Sequence, residues 1–227
     1  MRRVWSVCAC TALCAFLPSH LFAQPTPAGR VDVAVGASWL QGYDVGESDG
    51  LLTSSQAPTG QPFVLFRTAT RLDQAAAVDA RIGIVIGGGF SAEVRSSFSR
   101  PKYRISISGD SEAAQAIDVI DRIDQYIVDV ALVWRIVQLS RGPIFPFIGG
   151  GSGYVRQLHS DGVLASDGAR YFGNGGVEYW LRRRDSGRLK GAGLRSTVQA
   201  AWTETDLDID NQRRSELSVV ADFFLRF

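Results

Sequence analysis

The chain has 227 residues, with 24 basic side chains against 23 acidic, two histidines and three cysteines. That near-balance argues against a nucleic-acid binder, which needs a basic excess, and gives no sign of a polybasic membrane patch. Cys8, Cys10, Cys14 and His20 all lie near the start. The rest of the chain therefore holds one histidine and no cysteine, so neither a disulfide framework nor a built metal centre is expected.

Arg2 and Arg3 precede an uncharged, mostly apolar run from Val4 to Leu17, followed by Pro18 and Leu21-Phe22-Ala23. A positive start, a short apolar core and a small residue read as a secretory signal peptide over residues 1–23, cleaved after Ala23. The run falls short of the roughly 20 apolar residues a spanning helix needs. Removing Arg2 and Arg3 from the 24 basic residues leaves 22 against 23 acidic ones in a single exported domain, residues 24–227.

Beyond Ala23 the recurring pattern is alternation with period two, which predicts eight strands: residues 30–41, 74–87, 89–105, 123–138, 143–158, 171–182, 189–203 and 216–227. The first sets Val31, Val33, Val35, Ala37 and Trp39 against Asp32 and Ser38. A long link, 42–73, follows. Asp49-Gly50, Ser54-Ser55 and Pro58-Thr59-Gly60 mark it as the most mobile region, and its apolar Pro62-Phe63-Val64-Leu65-Phe66 reads as strand extension or as a lid. The second strand opposes Ala76, Val78, Ala80, Ile82, Ile84 and Ile86 to Asp79 and Arg81. The third opposes Phe90, Ala92, Val94 and Phe98 to Glu93 and Arg95, and the fourth opposes Tyr126, Val128, Val130, Leu132 and Trp134 to Gln125, Asp129 and Arg135. In the fifth, the glycines of Phe145-Pro146-Phe147-Ile148-Gly149-Gly150-Gly151-Ser152-Gly153-Tyr154 signal close approach or sharp curvature, with Gly173, Gly175 and Gly176 of the sixth as neighbours. No helix follows that row, which excludes a phosphate-cradling loop. The last strand places Leu217, Val219, Ala221, Phe223, Leu225 and Phe227 on one face, and Ser218, Asp222 and Arg226 with Val220 and Phe224 on the other.

Links after the even-numbered strands are short. Those after the odd-numbered ones are long: 42–73, 106–122, 159–170 and 204–215. This asymmetry suits an up-and-down barrel with short periplasmic turns and long outer loops. The polar faces carry ionisable residues of both signs: Asp32, Asp79, Arg81, Glu93, Arg95, Asp129, Glu178, Arg195, Asp222 and Arg226. They are expected to converge in a lumen that eight strands leave just wide enough for side chains, and to pair there. Trp39, Tyr126, Trp134 and Trp202 fall near strand ends, where an aromatic girdle meets the lipid–water boundary.

Phe223, Leu225 and the terminal Phe227 resemble the closing strand of bacterial outer-membrane barrels. The Pro146-to-Tyr154 stretch resembles a Pro-aromatic-x-x-Gly-x-Gly-Tyr segment of OmpA-like domains, and the charged interior resembles barrels of the OmpA and OmpX type. The resemblance implies an all-β, eight-stranded antiparallel transmembrane barrel of the outer membrane. It also implies a monomer lodged against outer-membrane lipid and lipopolysaccharide, whose terminal Phe223, Leu225 and Phe227 are the signal read by the barrel-assembly machinery after delivery by periplasmic chaperones. A structural or surface-interaction role follows, with no cofactor and no catalytic residue.

Two other readings stand beside it. One is a soluble periplasmic lipocalin-like barrel with the apolar faces turned inward around an apolar ligand. The other is a lipid-modifying enzyme using His159-Ser160-Asp161. In barrels that deacylate lipid A the histidine and serine stand one residue apart on one face. Here they are adjacent, so on a strand they would point to opposite faces.

Overall fold

A computed structural model describes residues 30–52, 63–109, 115–159, 165–184, 187–205 and 214–227. The predicted signal peptide falls outside them, as do Ser54, Ser55, Pro58, Thr59, Gly60, Pro62, Ser160 and Asp161. The strands are β1 (Val31–Leu40), β2 (Tyr43–Leu52), β3 (Phe63–Leu72), β4 (Ala75–Gly87), β5 (Phe90–Ser99), β6 (Lys102–Ser108), β7 (Ile117–Arg135), β8 (Ile144–His159), β9 (Ala165–Arg183), β10 (Gly191–Thr205) and β11 (Arg214–Arg226). A 3-10 turn, Val137–Leu139, lies between β7 and β8.

Eight of these strands pair antiparallel around a closed circuit, β1-β4-β5-β7-β8-β9-β10-β11, with β11 returning to β1. Closure leaves this wall without a free edge, as a strand structure in hydrocarbon requires. The circuit can be followed from Arg30, whose carbonyl accepts from the Val85 amide, through Ser91, Val133, Gly149, Asn174, Gln199 and Ser218. It comes back to β1 at Leu40, ten residues further along. A stagger of this kind tilts eight strands by about 35–45° and leaves an interior that side chains can fill.

The alternation determines which side of each strand meets what. Val78, Ile82, Ile84 and Ile86 of β4, Val94 of β5, and Val128, Val130 and Leu132 of β7 are exposed on the outer wall, while Asp79, Arg81, Glu93 and Asp129 between them are buried. Val130 is 54 % exposed and its neighbour Asp129 only 3 %. A lipocalin-like barrel has the reverse arrangement, so that reading fails. An outer wall of Val, Ile and Leu around a buried ionic interior belongs in lipid.

Near one end the wall continues beyond the barrel. β1, β4 and β5 break at Gln41-Gly42, Asp73-Gln74 and Arg100-Pro101 and carry on as β2, β3 and β6, which join the first part of β7 in a second sheet ordered β2-β3-β6-β7. Pro101 has no amide proton for the ladder. At Gly42 a Cβ would meet the Gln74 amide nitrogen at 2.8 Å, so the break at this point needs glycine. The 42–73 link expected to be a mobile loop thus contains two paired strands, and Phe63–Phe66 is strand rather than lid. β2 shows no period-two pattern because Asp44, Glu47, Ser48 and Asp49 do not alternate with apolar residues. Its order comes from the ladder with β3 and from cross-strand pairs such as Arg67–Asp49 at 3.1 Å. The predicted third strand is in fact β5 and β6, and the predicted sixth begins earlier, at Ala165.

Candidate functional site: a charge-filled lumen

The lumen is lined by the inward residues of all eight barrel strands, and the charges predicted to converge there are joined in a chain. At the end with the short turns, Asp32 on β1 accepts hydrogen bonds from Arg226 of β11 and, at 2.9 Å, from Arg135 of β7. Arg135 also donates to Glu178 of β9 at 2.9 and 3.0 Å. From Glu178 the chain passes to Arg195 of β10 at 3.7 Å. Arg195 donates to Glu93 of β5 at 2.8 Å, Glu93 lies 3.2 Å from Arg81 of β4, and Arg81 lies 3.6 Å from Asp222 of β11. A second cluster lies toward the extension. There Arg95 donates to Asp79 at 2.7 Å and to Gln199 at 3.0 Å, Gln199 donates to Asp129 at 3.2 Å, and Arg170 lies 3.6 Å from Asp129.

Each predicted lumen residue is therefore inside the barrel and in contact with an opposite charge. All are 7 % exposed or less except Arg95, which is half-buried. Two further arginines belong to the network. Arg135 faces inward on β7, and Arg170, which fell in a predicted loop, is buried on β9 because that strand starts earlier than its alternation reveals.

Aromatic and apolar side chains close the space around the charges. Phe147 stacks under Arg195 with the guanidinium 3.8 Å from the ring centroid, and Trp180 lies 4.5 Å from the Arg226 guanidinium while meeting Phe224 edge-on. These contacts add cation–π attraction to the ion pairs. Glycines make room for them: a Cβ on Gly176 would meet the Phe147 ring at 2.9 Å, and one on Gly193 would meet the Phe224 ring at 2.7 Å. Ala34, Trp180 and Phe224 form an apolar cluster at the short-turn end, and Leu40, Ala77, Ile127 and Val155 form another nearer the extension. Between them is a cavity of about 20 Å³, bordered by Arg81, Glu93, Arg95, Asp129, Gln199 and Asp222. That is room for about one water molecule.

Above the second cluster, Gln157 donates to Gln125 at 2.8 Å and accepts from the Tyr103 hydroxyl at 3.2 Å. Burial pushes the Tyr43 hydroxyl above its ordinary pKa, and Glu216 nearby adds to the rise. His159 accompanies Asp121, Nδ1 to Oδ2 2.8 Å, and stacks on Tyr103 with the rings 2° from parallel. A histidine set by a carboxylate is one half of an acid–base site, but Ser160 and Asp161 lie outside the described residues.

Of the predicted girdle, Trp39, Tyr126 and Trp202 are exposed on the outer wall toward the extension. Trp134 is half-buried at the opposite end, stacked on Phe90 with centroids 6.1 Å apart. The eight steps along the strand from Tyr126 to Trp134 cover about 27 Å. Allowing for tilt, that is most of an apolar band about 25 Å tall. Phe223 and Phe227 are exposed on the outer wall and Leu225 is half-buried between them, while the Phe227 amide donates to Val31 at 2.8 Å, the last rung of closure.

No protein-family model matches the sequence, and no curated protein is similar to it in sequence. Solved structures do resemble it. The outer-membrane protein OprG of Pseudomonas aeruginosa is 13 % identical and superimposes with a TM-score of 0.56 over 88 % of this chain and 96 % of that one. Neisserial surface protein A is 11 % identical, with a TM-score of 0.47 over 87 % and 97 %. The attachment invasion locus protein Ail of Yersinia pestis, solved with the heparin analogue sucrose octasulfate, is 9 % identical, with a TM-score of 0.46 over 88 % and 100 %. Together with the closed eight-strand circuit, the likeness to OprG establishes the fold as that of the small antiparallel barrels of bacterial outer membranes.

Proposed function

We propose that this protein is a non-enzymatic barrel of the bacterial outer membrane that acts through its surface and has a plugged lumen. The observation that carries the reading is the interior: arginines and carboxylates from seven of the eight strands interlock between two apolar clusters and leave a cavity with room for about one water. Such a lumen offers no path for a solute, so the exposed parts are the outer wall, the short turns and the β2-β3-β6-β7 sheet. The same reading makes outer-membrane lipid and lipopolysaccharide its surroundings, and the barrel-assembly machinery and periplasmic chaperones the partners of its insertion as a monomer.

Two measurements test it. In planar bilayers the purified protein is expected to give no sustained conductance, and a steady single-channel current contradicts a plugged lumen. The exported domain has no cysteine of its own. Ser48→Cys on the extension should therefore react with a membrane-impermeant maleimide on intact cells, whereas Cys in place of the exposed, polar Gln138 at the short-turn end (Gln138→Cys) should react only after the outer membrane is opened. Recovery of the protein in the soluble periplasm would overturn the reading.

A further inference from the structure

The two ends of the barrel differ sharply in charge. Around the extension, basic and acidic side chains alternate in pairs such as Arg100–Asp124 and Arg104–Asp73. At the opposite rim, the described residues of the short turns and strand ends carry Arg30, Arg141, Arg182, Arg183, Arg184, Arg188 and Lys190, and no acidic side chain. Asp185, between Arg184 and Arg188 in the sequence, lies outside the described residues. A near-neutral composition hides this contrast because the fold brings separate stretches of the chain to one rim.

The backbone aims part of this charge at the membrane. β9 and β10 slip register between Ala192 and Gly193, so that Arg182 pairs with Ala192 and Trp180 with Gly193, leaving Leu181 as an extra residue. A bulge of this kind re-aims side chains. Leu181 and Arg182 are both exposed, beside Tyr179 on the outer wall. Arg182 follows Tyr179 by about 10 Å of strand. An aromatic at that position marks the lipid–water boundary, which sets Arg182 at the level of the phosphates. Apolar side chains punctuate the rim as well: Leu139 is 63 % exposed, and Val137 and Leu189 are also exposed. Arg183 is held differently, over the Phe145 and Trp180 rings at 5.2 and 5.3 Å.

We infer that this rim binds the headgroups of anionic phospholipids, phosphatidylglycerol or cardiolipin, in the periplasmic leaflet. Guanidinium groups recognise phosphate in a planar, bidentate way. Exposed Leu139, Val137 and Leu189 among them suit an acyl boundary, whereas a hydrated cell-wall polymer would leave them in water. The inference rests on the proposed membrane placement.

The test uses the folded full-length protein in micelles, with phosphatidylglycerol, cardiolipin or phosphatidylethanolamine added and retained lipid read by native mass spectrometry. Retention of the two anionic lipids over phosphatidylethanolamine, weakened by salt, is expected. Removing one cation should lower retention about fivefold, and the triple variant Arg141→Gln/Arg182→Gln/Arg184→Gln about a hundredfold. The matching variant at the other end, Arg71→Gln/Lys102→Gln/Arg104→Gln, should keep the preference. Equal retention of all three lipids overturns the inference, as does a preference that survives the first triple variant or falls equally in the second. If the rim instead binds purified peptidoglycan with no lipid preference, and loses it in the first triple variant, the patch serves the cell wall. A protein that never folds into micelles counts against the membrane reading itself, and an inserted barrel without lipid preference counts only against this inference.

Discussion

Replacing Asp32 tests whether the lumen network holds the barrel together or merely fills it. Asp32 is 2 % exposed and takes hydrogen bonds from two arginines on different strands, Arg226 of β11 and Arg135 of β7. Asp32→Ala would leave both guanidiniums with Glu178 as their shared acceptor, 2.9 Å from Arg135 and 3.8 Å from Arg226. One carboxylate then faces two cations in a site closed to bulk water. Breaking a buried pair in this way costs about 3–5 kcal/mol. Asp32→Asn keeps the shape and removes the charge, so it should show most of the same loss. The comparison is Asp44→Ala on the extension, whose partner Arg71 is exposed at 3.8 Å. There the loss should be under about 1 kcal/mol. Folding into phospholipid vesicles across a urea series, with the folded fraction read from the mobility of unheated samples on a gel, measures all three. A loss below about 1 kcal/mol for Asp32→Ala, or one equal to that of Asp44→Ala, refutes the reasoning. Full recovery by Asn alone would mean that packing rather than charge holds the site.

Three further outcomes are expected. Val130→Arg puts a cation on the outer wall near the bilayer midplane and should cost about 2–4 kcal/mol of folding in vesicles, whereas Asp129→Ser beside it should still insert; the reverse result would mean that inside and outside are exchanged. Gly153→Val should destabilise the barrel by about 1–3 kcal/mol in the same urea assay, because its Cβ would crowd the Asp129 carboxylate and reach the Val128 carbonyl at 2.7 Å. Deleting Phe227, or changing it to Asp, should lower outer-membrane yield in cells more than folding into detergent, which needs no recognition step; equal losses would show that Phe227 acts through packing alone.

The barrel was legible because lipid on one side and ion pairs on the other force a strict period of two, as in the run from Ala75 to Ile86. The extension was not, because Asp44-Val45-Gly46-Glu47-Ser48 of β2 carries no alternation to read. Among the lumen residues, inward direction could be read strand by strand, but partners could not. Asp32 and Arg226 are neighbours because first and last strands close the circuit, a contact the alternation and the terminal Phe227 together suggest. Arg135 reaches Asp32 across the lumen, 103 residues away, only for the particular stagger of these eight strands. Arg170 was missed because Ser166, Gly168 and Arg170 look like loop, and the basic rim was missed because net charge sums over both ends.

An apolar filling would also have occupied the lumen, so the ionic one needs a physical reason, and register provides it. Sliding one strand by a single residue exchanges its two faces. In β4 that slip would turn Asp79 and Arg81 into lipid and bring Val78, Ala80 and Ile82 inward, while leaving Asp222 and Arg95 facing the lumen without their ion-pair partners and Glu93 with Arg195 alone. Arginine near the midplane costs about 2–4 kcal/mol, and each stranded partner adds the penalty of an unpaired buried charge. With Leu or Val in those positions, both faces of the strand would be apolar and the slipped pairing would cost little. The network also joins β1, β4, β5, β7, β9, β10 and β11 in one chain of contacts, so its last links form only when the circuit is complete. Correct stagger and closure are thereby favoured together, and the barrel is held shut by the same residues that select its register.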